Sequence, residues 1–249
     1  MTTFWALLVA LATYALIAAM ASRALAARGL VLSRGVTPKP DAASLGLAAA
    51  ANLAIGGAVV FEHSWLAGRP GTTLGLGLRP HELYACATAA GLTCALAAGH
   101  ARWRRGSARP HVGAHDARTL SVAIIALACG AWMEEILFRA FALAWLRPHG
   151  DAFALIASAF LFTLVHVPTS RVDRWALANW LVGGLALGGI YMVTGSVWVA
   201  TAAHLARNVT NVLWTEPATR SESGTHGGTR SAYYLVLGVA TFLATCAIR

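Results

Sequence analysis

Two carboxylates and a guanidinium stand together where an apolar helix is expected. The stretch Trp132-Met133-Glu134-Glu135-Ile136-Leu137-Phe138-Arg139 lies inside a long hydrophobic run. An ionisable side chain at bilayer depth costs at least ~2.5–3.5 kcal/mol, so such residues mark functional sites by default. Glu135 and Arg139 are i and i+4 and can pair on one helical face, which lowers the cost of burying both. A fixed ion pair that locks two helices together would use the same two residues. Glu134 points about 100° away from Glu135 and has no partner on its own helix. A carboxylate in that position suits a group that must take and return a proton.

Two further polar clusters follow. Phe162-Thr163-Leu164-Val165-His166 closes the next apolar stretch, with Phe162 and His166 on one helical face and Pro168 just beyond. A lone histidine there is also what a membrane boundary commonly carries. His204-Leu205-Ala206-Arg207-Asn208 lies inside a later stretch, after the turn Thr194-Gly195-Ser196-Val197-Trp198. His204 and Asn208 are again i and i+4, and Asn211 lies one turn further. The plainer role for this pair is an interhelical hydrogen bond.

Two chemistries fit these groups if the helices bring them together. In one, Glu134 and His166 polarise a water that attacks a peptide carbonyl, and His204 and Asn208 donate hydrogen bonds to the developing oxyanion. In the other, Glu134, His166 and His204 ligate a divalent metal such as zinc, which activates the water. No HExxH is present, so two ligands on one turn are missing. No serine or cysteine nucleophile is indicated: Ser158 and Ser196 have no Asp-backed histidine near them in sequence.

The elements that must position these residues are set by composition. The chain has 249 residues, 57% hydrophobic and 12% charged, with a mean hydropathy of +0.61. Ordinary soluble domains carry roughly 25% charged residues, so a soluble globular enzyme is excluded as the leading reading. Disorder requires low hydrophobicity, and no nucleic-acid partner is expected despite the net charge of +9. Eight apolar stretches run about 4–27, 43–66, 81–100, 119–146, 152–167, 175–194, 196–214 and 231–248. They predict an all-α, polytopic transmembrane bundle of about eight spans, a single integral-membrane domain over residues 1–249. The first stretch reads as a retained anchor, because it lacks a basic leader and exceeds a typical signal core.

Arg28, Arg34 and Lys39 follow the first stretch, and Arg102, Arg104, Arg105, Arg109 and Arg118 surround the end of the third. The positive-inside rule places both segments, with Arg171 and Arg174, on the cytoplasmic side; eight spans then leave both termini outside. The use of 18 Arg against one Lys points to a GC-rich genome and, with it, to a bacterial inner membrane. Cys86, Cys94, Cys129 and Cys246 all lie in apolar stretches and read as packing residues. Gly183, Gly184, Gly188 and Gly189 form a small-residue face for close helix approach.

Taken in order, Glu134-Glu135-xxx-Arg139, Phe162-xxx-His166 and His204-xxx-Asn208 resemble the motifs of the CPBP family, which includes type II CAAX prenyl proteases and the Abi proteins. The resemblance covers about residues 119–214. It implies a glutamate-type intramembrane endopeptidase, with Glu134 and His166 activating water and His204 and Asn208 at the oxyanion. Glu135 and Arg139 would support the site. The family was long described as metalloproteases, which keeps zinc as the alternative to a cofactor-free enzyme. Ala140 departs from the pattern, since a glycine often follows the motif arginine. The implied partners are the bilayer and a peptide or protein with a membrane-proximal segment: a prenylated tail, a pheromone, a bacteriocin-related peptide or a sorting tail. A non-catalytic peptide-binding or immunity protein, and a proton-coupled carrier, are the rival readings; the lack of an internal repeat weighs against the carrier.

Overall fold

The computed structural model describes residues 3–27, 42–65, 71–77, 79–105, 117–167 and 174–214. Among them the chain is helical without strands. The helices are α1 (Thr3–Ala26), α2 (Ala42–Trp65), α3 (Pro80–Arg105), α4 (Ala117–Glu135), α5 (Asp151–His166), α6 (Arg174–Thr194) and α7 (Val197–Trp214). Seven of the eight expected stretches are thus helices; the eighth, 231–248, and most of the basic segments lie outside the described residues.

The count of about eight spans is not confirmed. Among the described residues four helical segments are long and apolar enough to cross a membrane: Leu8–Ala26, Ala42–Trp65, Ala117–His149 and Ala176–Thr194. The others fall short for physical reasons. α5 has 16 residues, where a perpendicular crossing needs about 20. α3 runs on into Arg102, Arg104 and Arg105. α7 carries Thr201, His204, Arg207, Asn208 and Thr210, and of these Thr201, His204 and Thr210 are buried against neighbouring helices.

The packing joins both chain neighbours and helices distant in the chain. α1 packs on α2, α2 on α4, and α5 on α6, while α7 lies between α3, α4 and α6. Small residues permit the α5–α6 approach: a Cβ added at Gly184 would sit 3.0 Å from the Ala159 Cα. Cys86, Cys94 and Cys129 are free thiols.

The turn into α7 is fixed from a distance. Gly195 has a φ of 65° and Gly75 a φ of 72°, a region L side chains avoid. Gly75 passes so close to Gly195 that a Cβ would meet its carbonyl. The Gly75 carbonyl then accepts from the Val197 amide at 3.2 Å, and the Trp198 indole donates to the Leu76 carbonyl at 3.0 Å. The 71–76 segment therefore satisfies donors at the start of α7, where helices leave amides unpaired.

Sequence periodicity did not anticipate one local feature. Directly after Glu135 the α4 helix widens into a π-helix over Ile136–Leu143. Its eight side chains are all buried, Arg139 and Ala140 included. π-helical turns are uncommon and concentrate at functional sites. Here the wide turn is braced by Ser158 of α5, whose hydroxyl donates to the Phe138 carbonyl at 2.6 Å. Ser158 thus works as a brace on backbone. Replacing it with alanine (Ser158→Ala) removes a buried donor, and a loss of about 1 kcal/mol in stability is expected. Thermal unfolding in detergent measures this; an unchanged midpoint would show that the π-turn needs no external donor.

Candidate active site

Helices α4, α5 and α7 each contribute one group to a common point. The Glu134 carboxylate lies at the C-terminal end of α4, with Oε1 3.8 Å from His166 Nε2 and Oε2 3.7 Å from His204 Nε2. Both separations exceed a direct hydrogen bond and suit a bridging water. Oε2 is buried and has no hydrogen-bond partner among the described residues, which makes it an acceptor for water. Glu134 and His166 retain about a fifth of their exposure, 21% and 22%, whereas His204 is buried. The point is therefore reachable from one side and closed on the other.

Each imidazole is held by its second nitrogen. His166 Nδ1 lies 2.8 Å from the Phe162 carbonyl. A carbonyl only accepts, so Nδ1 carries the proton, and a neutral His166 offers the Nε2 lone pair toward Glu134. The i, i+4 relation read from the sequence thus becomes a ring-to-backbone bond at the end of α5. His166 also packs at a tilt against two rings, Phe162 at 4.6 Å and Trp180 of α6 at 5.3 Å between ring centroids. His204 Nδ1 meets Glu135 Oε1 at 2.7 Å, a charge-assisted distance. That bond fixes Nε2 as the atom facing Glu134.

Glu135 has a double task. Its other oxygen, Oε2, lies 3.2 Å from Arg139 Nε, and both side chains are fully buried. The pair is at ionic distance without hydrogen-bond alignment, since Arg139 Nε, Nη1 and Nη2 all lack hydrogen-bond partners among the described residues. The guanidinium instead lies over the Phe162 ring, 4.4 Å from its centroid, a cation–π contact. Phe162 therefore touches Arg139, His166 and, at 6.0 Å, His204. It joins the three polar clusters through one ring.

Of the residues singled out in the sequence, the fold brings together Glu134, His166, His204, Glu135 and Arg139. Asn208 lies one turn beyond His204 and is half-buried; among the described residues no hydrogen bond joins it to Glu134, His166 or His204. Among the described residues no group of three or more His, Cys, Asp or Glu side chains is placed to hold a metal ion.

The comparisons bear on the same segment. Residues 116–210 match the family model of type II CAAX prenyl endopeptidase Rce1-like proteins. The segment is similar to that family over these residues. It begins at the start of α4 and ends near the end of α7, enclosing every group described above. Searches of curated proteins and of solved structures gave no match. Several long apolar helices and the similarity to an endopeptidase family fit a membrane protein.

Sequence reasoning missed Trp180, since nothing in an apolar helix marks which tryptophan will pack on a distant histidine. It also missed the link of α1 to α2, where Thr13 donates to Glu62 Oε1 at 2.8 Å. Glu62 was legible as an ionisable residue in an apolar stretch.

The two adjacent carboxylates should separate in a stability measurement. Glu135→Gln leaves Arg139 buried without its charge partner, and breaking such a pair costs about 3–5 kcal/mol. Glu134→Gln, at a partly exposed position without an ion partner of fixed charge, should stay within about 1 kcal/mol of wild type. Unfolding midpoints of the two variants in detergent check this; equal losses would contradict the division of roles.

Proposed function

We propose that the chain is an intramembrane endopeptidase of the CAAX-protease type, in which Glu134 and His166 activate a water molecule. The observation that carries the reading is a single carboxylate, one-fifth exposed, facing the Nε2 atoms of two imidazoles at 3.8 and 3.7 Å.

The water between Glu134 and His166 gives its proton to Glu134 as its oxygen attacks the peptide carbonyl carbon. His166, with its proton fixed on Nδ1, accepts a hydrogen bond from the water through Nε2 and orients it. The carbonyl oxygen becomes an oxyanion. Stabilising it is the task of His204 and Asn208. For His204 to donate from Nε2 its ring must be protonated, because Nδ1 is already engaged. When the C–N bond breaks, the proton on Glu134 passes to the departing amine. The reaction consumes one water and yields a carboxylate and an ammonium group, with no step routed through a metal. The substrate is a peptide or protein whose cleavable bond lies near a membrane segment, and the enzyme resides in the bilayer, in our reading the bacterial inner membrane.

The test is cleavage of a quenched-fluorescence peptide library by purified protein. Glu134→Gln and His166→Ala should lower kcat by at least about 100-fold, the scale of general-base loss. Asn208→Ala should lose about 10²–10³-fold in kcat, as removal of an oxyanion donor does. Cleavage undiminished in Glu134→Gln would overturn the proposal. Loss of activity with a chelator, restored by zinc, would move Glu134, His166 and His204 into the role of ligands after substrate-induced rearrangement.

A further inference from the structure

The first helix brings a polar ring toward the site from outside residues 116–210. α1 is the least enclosed of the four long spans, yet one stripe of it turns inward. Ala10 and Leu25 are buried, and Tyr14, Ile17 and Ala21 between them are half-buried. Positions 10, 14, 17, 21 and 25 fall on one helical face. Leu16 and Met20, on the other side, are 63% and 62% exposed. Tyr14 packs against the core cluster that contains Ile136, Leu137 and Phe138, and α1 touches the π-helical segment that follows the two carboxylates. The neighbouring Thr13 fixes the rotation of α1 through its bond to Glu62 of α2 at 2.8 Å. In this setting the charge of Glu134 reaches the Tyr14 phenol. Among the described residues no hydrogen bond occupies the phenol hydroxyl.

Glu134 is thus approached from three elements: by His166 of α5, by His204 of α7 and by Tyr14 of α1. We propose that Tyr14 is a substrate-binding residue, whose hydroxyl pairs with the peptide backbone beside the bond that Glu134 and His166 open. This rests on the protease reading of the same site. An extended peptide brings backbone N–H and C=O groups that must find partners once they leave water. The scissile carbonyl has His204 and Asn208; the peptide groups flanking it need others. A phenol hydroxyl both donates and accepts, so Tyr14 can meet either kind. Its flat ring also offers apolar contact at small cost in side-chain freedom. Pairing with backbone is indifferent to side-chain identity and requires the substrate to lie extended there. The peptide then runs between α1 and the carboxylate-bearing end of α4, so α1 is a wall of the substrate cleft as well as a membrane span.

Proximity is read by photo-crosslinking. Benzoylphenylalanine replaces Tyr14, or separately the outward-facing Leu16, in the full-length Glu134→Gln protein, which does not turn substrate over. The probe is a fluorescent form of the peptide library used for hydrolysis. Position 14 should capture peptide and position 16 should not, and excess unlabelled peptide should suppress the capture. Tyr14→Phe keeps the ring and removes only the hydroxyl, which guards against a bulky residue that disturbs α1. With Glu134 intact, Tyr14→Phe should raise KM about two- to tenfold, the scale of one hydrogen bond, with a smaller change in kcat. Equal capture at both positions, or a KM unmoved by Tyr14→Phe, would overturn the inference. So would a loss confined to kcat, because the hydroxyl would then act in the chemical step. Capture at position 14 without hydrolysis of any peptide by the intact protein sinks the protease reading alone. Hydrolysis without capture sinks only the assignment of Tyr14.

Discussion

The bond between Glu135 and His204 is the contact on which the site depends. It joins α4 to α7, elements separated by two helices in the chain, at 2.7 Å in a buried setting. A carboxylate removed from water is costly unless its charge is matched. Glu135 is matched from both oxygens, by the His204 ring and by Arg139. The same two contacts decide where the His204 ring points and where the π-helical turn places the guanidinium. Removing the carboxylate would strand a buried cation and release the ring that faces Glu134.

This arrangement divides labour between neighbours that look alike. Glu135 is enclosed and holds the frame, while Glu134 is partly open and keeps an oxygen without a hydrogen-bond partner among the described residues. The change from α to π geometry directly after the pair buries the guanidinium under Phe162, leaving the adjacent carboxylate to face α5 and α7. Ala140 is enclosed within that wide turn, so its methyl group is accommodated there.

Pairs of this kind also explain why a helix too polar to cross a membrane unaided is kept inside the bundle. α7 turns His204 toward α4 and Arg207 toward α6. Its start is secured by the 71–76 segment rather than by its own sequence neighbours. Polar side chains within a bilayer are retained where partners inside the bundle meet them, and here Glu135 and Asn179 are among those partners.

The sequence by itself determined the helical class, the apolar stretches and the identity of the out-of-place ions, because the cost of an ionisable group in an apolar run is a local property. Glu134, Glu135, Arg139, His166 and His204 could all be chosen that way, and the spacing of Glu135 and Arg139 already implied their pair. Only the tertiary structure decided which nitrogen of each imidazole faces Glu134, that a π-turn follows the carboxylates, and that Trp180 packs against His166. Those features arise from contacts between residues distant in the chain, and helical periodicity carries no information about the face a second helix will present.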